Sequence, residues 1–307
     1  MTMLLTDYFR SAPDATWEIG RQLGVRYGVI RLPEDSGFDP AERSHWLPVY
    51  QRFIDYGITP VIIEPMPNCL HDHIKAGDEK RDESIERVMR MFPIMEELNI
   101  RTICFNWMAY VGWTRTRSDY PERGGARVTA FDLKDYKPSD KAISAEQLWD
   151  NYAYFLHAVL PEAEKHGIRL ALHPDDPPLP KLGEVSRIMI SYEAVRHAVQ
   201  DIVPSENLGV TFCQATFAMM GEDLYDIIPK LAEKYCSSIS ATRQATNAAS
   251  TRPSTTTEAS TCRGSCGSTG TAVWMCPCGS ITSPPWQGRV SGTPGTTPWG
   301  AFSPSDI

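Results

Sequence analysis

Four amino acids are missing from the last 71 residues of this 307-residue chain. From Ser237 to Ile307 there is no Leu, Lys, Tyr or His, and Ser, Thr, Gly and Pro together supply 41 residues. Such a segment buries little apolar surface, whereas ordering it costs about 1 to 2 kcal/mol of backbone entropy per residue. We therefore expect residues 1–236 to form one folded domain and residues 237–307 to be a disordered, low-complexity tail.

The chain also lacks the features of several protein classes. Its net charge is -8 and it has no basic run interleaved with aromatic residues, so a nucleic-acid partner is not expected. No apolar run approaches the roughly 18 residues of a membrane span, and residues 1–10 lack the basic and apolar regions of a signal peptide. Of the eight Cys, four are scattered and four crowd the tail, so no disulfide framework is apparent. We expect a cytoplasmic protein with no membrane partner.

Before residue 237, strand and helix patterns alternate. Short apolar runs rich in β-branched residues, typical of strands buried on both faces, occupy residues 25–32, 59–64, 100–107, 168–173 and 208–213. Apolar residues at helical spacing occupy residues 46–56, 82–98, 145–166, 192–200 and 221–235. This alternation predicts an α/β fold with a parallel sheet, a (β/α)8 TIM barrel truncated to about five βα units.

One predicted connection is unusually long. Residues 108–144 exceed the two to six residues usual between a strand and a helix, and they are rich in Arg, Asp and aromatic side chains. The segment from Trp113 to Arg117 (WTRTR) could form a cationic lid over an acidic sugar. Alternatively, the segment is a solvent-exposed loop without a functional role, and its Arg side chains only form ion pairs with nearby carboxylates.

Two candidate metal ligands end predicted strands. His173 and Cys213 each close an apolar run, and active sites of parallel barrels lie at the C-terminal ends of the strands. An imidazole and a thiolate from neighbouring strands can share a divalent ion. Taken alone, a buried Cys is more often a small core residue and a single His is more often structural.

Several longer motifs surround these two residues. They are residues 172–178 (LHPDDPP), 209–214 (GVTFCQ), 104–108 (CFNWM) and 113–116 (WTRT). In this order and spacing, residues 1–236 strongly resemble mannonate dehydratases, a family of xylose-isomerase-like TIM barrels. The resemblance implies a hydro-lyase of hexuronate (glucuronate) breakdown that converts D-mannonate to 2-dehydro-3-deoxy-D-gluconate with Mn2+ or Fe2+.

The resemblance also implies roles for individual residues. His173 and Cys213 match two metal ligands of the family. Asn106 and Asp175 match motif positions at strand ends, and with Arg115 of the loop we assign them to substrate binding, although Asp175 could equally cap the following turn. The implied partner is a small sugar acid.

The chain departs from the family pattern at several positions. Gly112 stands where the family commonly has Asp, and Ala215 where it commonly has Gly. Family members also carry a His from a later strand and an Arg-x-Asp-His-Val-Pro motif that supplies a ligand and a catalytic His. The tail has no His and one Asp, Asp306, so no catalytic residue is assigned.

A shifted reading frame accounts for the missing motif. Trp and Met each have one codon, so Trp274-Met275-Cys276 constrains the underlying nucleotides. In the neighbouring frame, with permitted codon choices, residues 274–284 spell Asp-Val-Pro-Val-Arg-Val-Asp-His-Val-Pro, and residues 298–306 spell an apolar helix pattern. We expect that the frame slips near Cys236, through a natural lesion or a sequence error, and that the literal polypeptide is inactive and poorly soluble.

Other interpretations stay open. The tail contains two Cys pairs, Cys262 with Cys266 and Cys276 with Cys278. Their spacings fit a zinc module badly, and they lack a His partner. A sugar isomerase or epimerase of the same superfamily would share the alternating pattern and the metal ligands. A non-enzymatic protein with a disordered Ser/Thr-rich arm is the third alternative. The oligomeric state cannot be read from the sequence.

Overall fold

The chain folds around a curled parallel sheet of seven strands. A computed structural model describes residues 4–121, 125 and 127–239. In both chain order and spatial order, the strands of the main sheet are β1 (Thr6–Phe9), β2 (Tyr27–Ile30), β3 (Thr59–Ile63), β4 (Thr102–Asn106), β5 (Arg169–His173), β6 (Leu208–Cys213) and β7 (Tyr235–Ile239). All neighbouring pairs are parallel, so the chain crosses back over the same face between strands, as in a TIM barrel.

Helices make those crossovers. They are α1 (Ala15–Gln22), α2 (Arg43–Asp55), α3 (Asn68–Ala76), α4 (Arg81–Glu97), α5 (Ala145–Lys165), α6 (Tyr192–Gln200), α7 (Gln214–Met219) and α8 (Leu224–Leu231), the last followed by a 3-10 turn at Ala232–Lys234. Side chains that accept backbone N–H groups define several helix starts, including the reciprocal pair Ser144 and Gln147 at the start of α5. The predicted alternation of strands and helices is thereby confirmed.

The core lies between the sheet and these helices. Every residue of β4 and β6 is buried, as expected for central strands that are covered on both faces. Near the first edge, Trp17 of α1 is fully buried and stacks on Phe53 of α2, with their ring centroids 4.2 Å apart. Each such fully buried side chain contributes about 1.5 to 3 kcal/mol through removal of apolar surface from water.

The sheet extends beyond the five predicted strands at both edges. β1 adds one strand, and β7 adds another that crosses the predicted boundary at residues 236 and 237. Ser237, Ser238 and Ile239 pair with Thr211, Phe212 and Cys213 of β6. β1 and β7 have one strand neighbour each within the part of the chain that the structure describes. The predicted disordered tail from residue 240 onwards, with its Cys pairs, lies outside the described residues.

The long connection after β4 has its own structure. An exposed antiparallel hairpin joins Arg117–Pro121 to Arg127–Ala130, and Ala142–Ile143 pairs with Glu184–Ser186, which in turn pairs with Lys181–Leu182. The small sheet ties the end of this connection to the loop after β5. Within the described ranges, no helix is both long enough and apolar enough to cross a membrane.

Candidate metal and substrate site

Polar side chains meet where four neighbouring strands end. Asn106 is the last residue of β4 and lies opposite His173, the last residue of β5, in the strand register. Cys213 is the last residue of β6, and Glu64 directly follows β3. Because parallel strands end at one edge of the sheet, these groups share the C-terminal edge, where barrel enzymes place their active sites.

His173 and Cys213 are both buried and interact electrostatically with each other. Burial alone would lower the pKa of His173, but the hydrogen bond with Cys213 and the negative charges of Cys213 and Glu64 outweigh it and raise the pKa to about 9. Burial alone would raise the pKa of Cys213, but the bond and the positive charge from His173 lower it instead. Each of the two groups therefore favours the charged form of the other.

The contacts around the pair fit the chemistry of metal ligands. Nδ1 of His173 lies 2.6 Å from the carbonyl oxygen of Pro174 and donates to it, which leaves Nε2 for the sulfur or for an ion. A ligating His commonly donates its other ring N–H to a backbone carbonyl in this way. Thr216 Oγ1 donates to the sulfur of Cys213 at 3.1 Å, which also favours the thiolate.

The described residues supply only part of a metal site. Among residues 4–121, 125 and 127–239, no group of three or more His, Cys, Asp or Glu side chains is arranged to hold an ion. A protein-bound transition metal usually has at least three protein ligands. His173 and Cys213 fit as two of them, and further ligands would have to come from outside the described residues.

Two other side chains border the pair. The ring of Trp113 packs edge-on against His173, with centroids 5.4 Å apart, so the loop after β4 lies directly beside the pair. Glu64 interacts electrostatically with His173 and forms a side-chain hydrogen bond with Cys104. Burial raises the pKa of Glu64, while His173 and Cys104 partly oppose that rise.

Asn106 and Asp175 lie at the same edge but have protein partners. The side-chain oxygen of Asn106 accepts the backbone N–H of Met108 at 3.1 Å. Asp175 Oδ2 accepts the N–H groups of Ile188 and Met189, both at 3.1 Å, which ties the turn after β5 to the segment before α6. Asp175 Oδ1 is buried and has no hydrogen-bond partner among the described residues. Burial raises the pKa of this carboxyl, with Arg187 and the backbone donors opposing the rise.

Arg115 is held by a neighbouring carboxylate. Its Nη2 donates to Asp176 Oδ2 at 2.8 Å, and the two side chains are only 16% and 2% exposed. Arg187 reinforces the same region by donating to the carbonyl oxygens of Val111 and Gly112, each at 2.9 Å. These contacts fasten the loop that carries Trp113 to the turn after β5.

A pocket of about 260 Å³ opens beside this edge, close to the lower end of the range for small-molecule sites. Asn106 and Trp113 are among its lining residues, so the pocket adjoins the His173 ring. Its other lining residues include Arg31, Lys75 and Asp72. Arg115 and Asp175 are not among them.

The sequence analysis missed Glu64, Lys75 and Arg187. Glu64 ends the predicted strand 59–64, so the strand-end rule that selected His173 and Cys213 applied to it equally well. Lys75 lies on α3, a helix that was not predicted, and Arg187 lies in an irregular segment after β5. Neither of these two had a signal in the sequence.

The sequence profile of one family, D-mannonate dehydratase (UxuA), matches residues 49–142 and 133–271 of this chain. The second range continues past the end of β7. A mannonate dehydratase from Oceanobacillus iheyensis is 31% identical over 205 residues, which cover 58% of this chain and 58% of that protein. The chain thus spans little more than half the length of this curated relative.

Two solved structures show a similar fold. The crystal structure of mannonate dehydratase from Streptococcus suis serotype 2 matches with a TM-score of 0.68 and 25% identity, covering 77% of this chain and 71% of that one. A D-psicose 3-epimerase from Clostridium cellulolyticum H10 matches with a TM-score of 0.53 and 12% identity, covering 77% and 72%. The second likeness concerns the fold alone.

Proposed function

This chain belongs to the D-mannonate dehydratase family, and we propose that the intact enzyme removes water from D-mannonate to give 2-dehydro-3-deoxy-D-gluconate. The observation that carries the proposal is the buried, interacting pair of His173 and Cys213 at the C-terminal edge of the sheet. We place this reaction in hexuronate breakdown in the cytoplasm, with a small sugar acid as the partner.

We propose that His173 and Cys213 are two ligands of a divalent ion, Mn2+ or Fe2+. The reaction removes a proton next to a carboxylate, which is weakly acidic, and expels a hydroxyl, which leaves poorly. The ion supplies electrostatic stabilisation of the enediolate-like charge that develops on the substrate. The carbonyl oxygen of Pro174 holds a proton on Nδ1 of His173, so Nε2 is the nitrogen that would bind the ion, after release of its own proton.

The neighbouring residues bind and orient. We propose Asn106 as a substrate contact, because it is buried at the end of β4, lines the pocket and lies beside His173. Trp113 shields the pair from water along one side. For Asp175 and Arg115, which the sequence assigns to substrate binding, we propose a positioning role, because both make close contacts with protein groups.

We further propose that the reading frame slips near Cys236. The support is the change of composition after that residue and the family motif encoded in the neighbouring frame. Because the family match continues to residue 271, the gene should be sequenced from the codon of Lys234 through that of residue 271. If the gene has one uninterrupted reading frame through this region, the proposed frame slip is refuted. On this proposal the chain as written does not turn over mannonate.

Titration with Mn2+, followed by the loss of the free-ion EPR signal, tests the metal site in the full chain. We expect weak binding that His173→Asn and Cys213→Ser each reduce at least 10-fold, because each removes a direct ligand. The matched controls His197→Asn and Cys69→Ser change exposed side chains and should leave binding unchanged. Equal Mn2+ affinity in the unsubstituted chain and both site variants would exclude the pair as ligands.

A frame-restored protein tests the reaction. Incubated with Mn2+ and D-mannonate, it should form the dehydrated 2-keto acid, and incubated with aldoses it should form nothing. Interconversion of aldoses or ketoses without loss of water would favour the isomerase or epimerase alternative instead.

A further inference from the structure

The pocket beside the metal-ligand pair has a cationic wall. Three charged side chains line it, Arg31, Lys75 and Asp72, so it carries two positive charges and one negative charge. Asp72 is 58% exposed, so water screens its charge, whereas Lys75 is 2% exposed and is not screened in the same way. The pocket therefore favours an anion.

Lys75 is held in the pocket wall at an energetic cost. Its one hydrogen-bonded partner among the described residues is Asp72, with Nζ 2.9 Å from Oδ1. An ammonium group has three N–H donors, and burying it is costly unless acceptors satisfy them. Burial lowers the pKa of Lys75, and Asp72 and the more weakly acting Asp175 only partly oppose this. A carboxylate bound in the pocket would supply hydrogen-bond acceptors that the described residues do not.

The other groups near Lys75 are one more carboxylate, Asp175, and apolar or cationic side chains. His71, one turn earlier on α3, is fully buried against Phe105 and Trp107, and among the described residues neither of its ring nitrogens has a hydrogen-bond partner. Arg187 adds a further positive field. Packing alone does not account for a charged side chain at this position, because burying an apolar residue there would cost less free energy.

Arg31 brings a second cation to the same pocket. It directly follows β2 and so lies at the C-terminal edge of the sheet with Asn106 and His173. Its side chain is 21% exposed and pairs with the more exposed Glu34. A guanidinium has five N–H donors in a planar fork, so it can bind a further carboxylate without giving up this partner.

Building on the proposed function, we propose that Lys75 and Arg31 bind the carboxylate of the sugar acid. Asn106 and Trp113, which line the same pocket and adjoin His173, then place the hydroxyl-bearing carbons beside His173. In this arrangement, the two cations also stabilise the negative charge that develops on the carboxylate oxygens when the neighbouring proton is removed. The site thereby selects sugar acids over neutral sugars.

Isothermal titration calorimetry of the full chain, with Mn2+ present, tests this assignment. The probes are D-mannonate and D-mannitol, which has the same carbon chain and no charge. Lys75→Met and Arg31→Met should each raise the Kd for D-mannonate about 10- to 100-fold, the loss expected for a hydrogen bond to a charged group. Neither should change the Kd for Mn2+ or the weaker affinity for D-mannitol. Lys165→Met, an exposed matched control, should change none of these values.

The outcomes separate this inference from the proposed function. If the unsubstituted chain binds Mn2+ but not D-mannonate, this inference fails, whereas the proposed function fails only if the frame-restored protein does not dehydrate D-mannonate. If the unsubstituted chain binds D-mannonate and both variants bind it within 2-fold, the proposed function stands and the carboxylate site is refuted. Far-UV circular dichroism confirms folding of each variant, and Arg31→Met provides a test at a less buried position if Lys75→Met does not fold.

Discussion

The ion pair between Arg115 and Asp176 provides a quantitative test of how the loop over the site is held. Its two charged groups are 2.8 Å apart, and Asp176 is 2% exposed. Arg117, two residues further along the same loop, pairs with Asp119 at 3.6 Å with both side chains exposed. The two Arg residues thus provide a buried pair and an exposed control within one segment.

The expected magnitudes follow from burial. Removing one partner of a buried pair typically costs 3 to 5 kcal/mol, because the other charge stays buried and uncompensated. Arg187 also interacts electrostatically with Asp176 and offsets part of that loss. We therefore expect Arg115→Met to lower the free energy of unfolding by about 3 kcal/mol. Asp176→Asn should cost about 1 to 2 kcal/mol, since the released Arg115 can turn towards water.

Urea denaturation of the single and double variants gives the coupling energy. We expect Arg115→Met with Asp176→Asn to cost less than the sum of the single variants, by about 1 to 2 kcal/mol. Arg117→Met should change stability by less than about 0.5 kcal/mol. A coupling energy near zero, or equal losses for the variants at 115 and 117, would refute the positioning role and favour direct substrate binding by Arg115.

Two further predictions concern stability. A Cβ at Gly209 would lie 2.2 Å from the carbonyl oxygen of Lys234, so Gly209→Ala should displace β7 and lower the free energy of unfolding in urea by about 2 to 3 kcal/mol. The control Gly112→Ala has open space around it and should cost less than about 0.5 kcal/mol. Similar costs for the two variants would show that β7 does not pack closely against β6. The hydrogen bond from Tyr56, followed by bonds from neighbouring side chains, lowers the pKa of Glu18 from 4.5 to about 2, so the ionised form stabilises the fold above pH 4.5. That contribution is lost as the pH falls towards 2, and melting curves of Glu18→Gln and the unsubstituted chain should converge over this range; a constant difference would contradict the pKa shift.

The sequence predicted the central strands and most helices because their signals are local. The all-buried strands β4 and β6 appear as apolar runs, and α5 begins at Ser144 with a capping pattern. Several short elements were not predicted, among them β1, β7, α3 and α7. β1 has only four residues and no continuous apolar run, and α3 is a nine-residue helix whose first turn follows Pro67. Short elements such as these depend on packing against the rest of the sheet.

The candidate site was predicted in part. The positions of His173 and Cys213 at strand ends, together with the parallel topology, were enough to predict that the two side chains meet, and in the structure both are buried and interact. Their role as metal ligands stays a prediction. The partner of Arg115 was not predictable, because Asp176 is 61 residues away in the chain and the contact depends on the path of a long loop.

By itself, the sequence determined the order of strands and helices, the edge of the sheet at which polar residues collect, and the change in composition after Cys236. All three follow from the hydrophobicity and size of neighbouring residues. Only the tertiary structure decided which charges are buried together. Lys75 and Arg31 line one pocket although 44 positions separate them, because strand order and helix packing, and not proximity in the chain, set such distances.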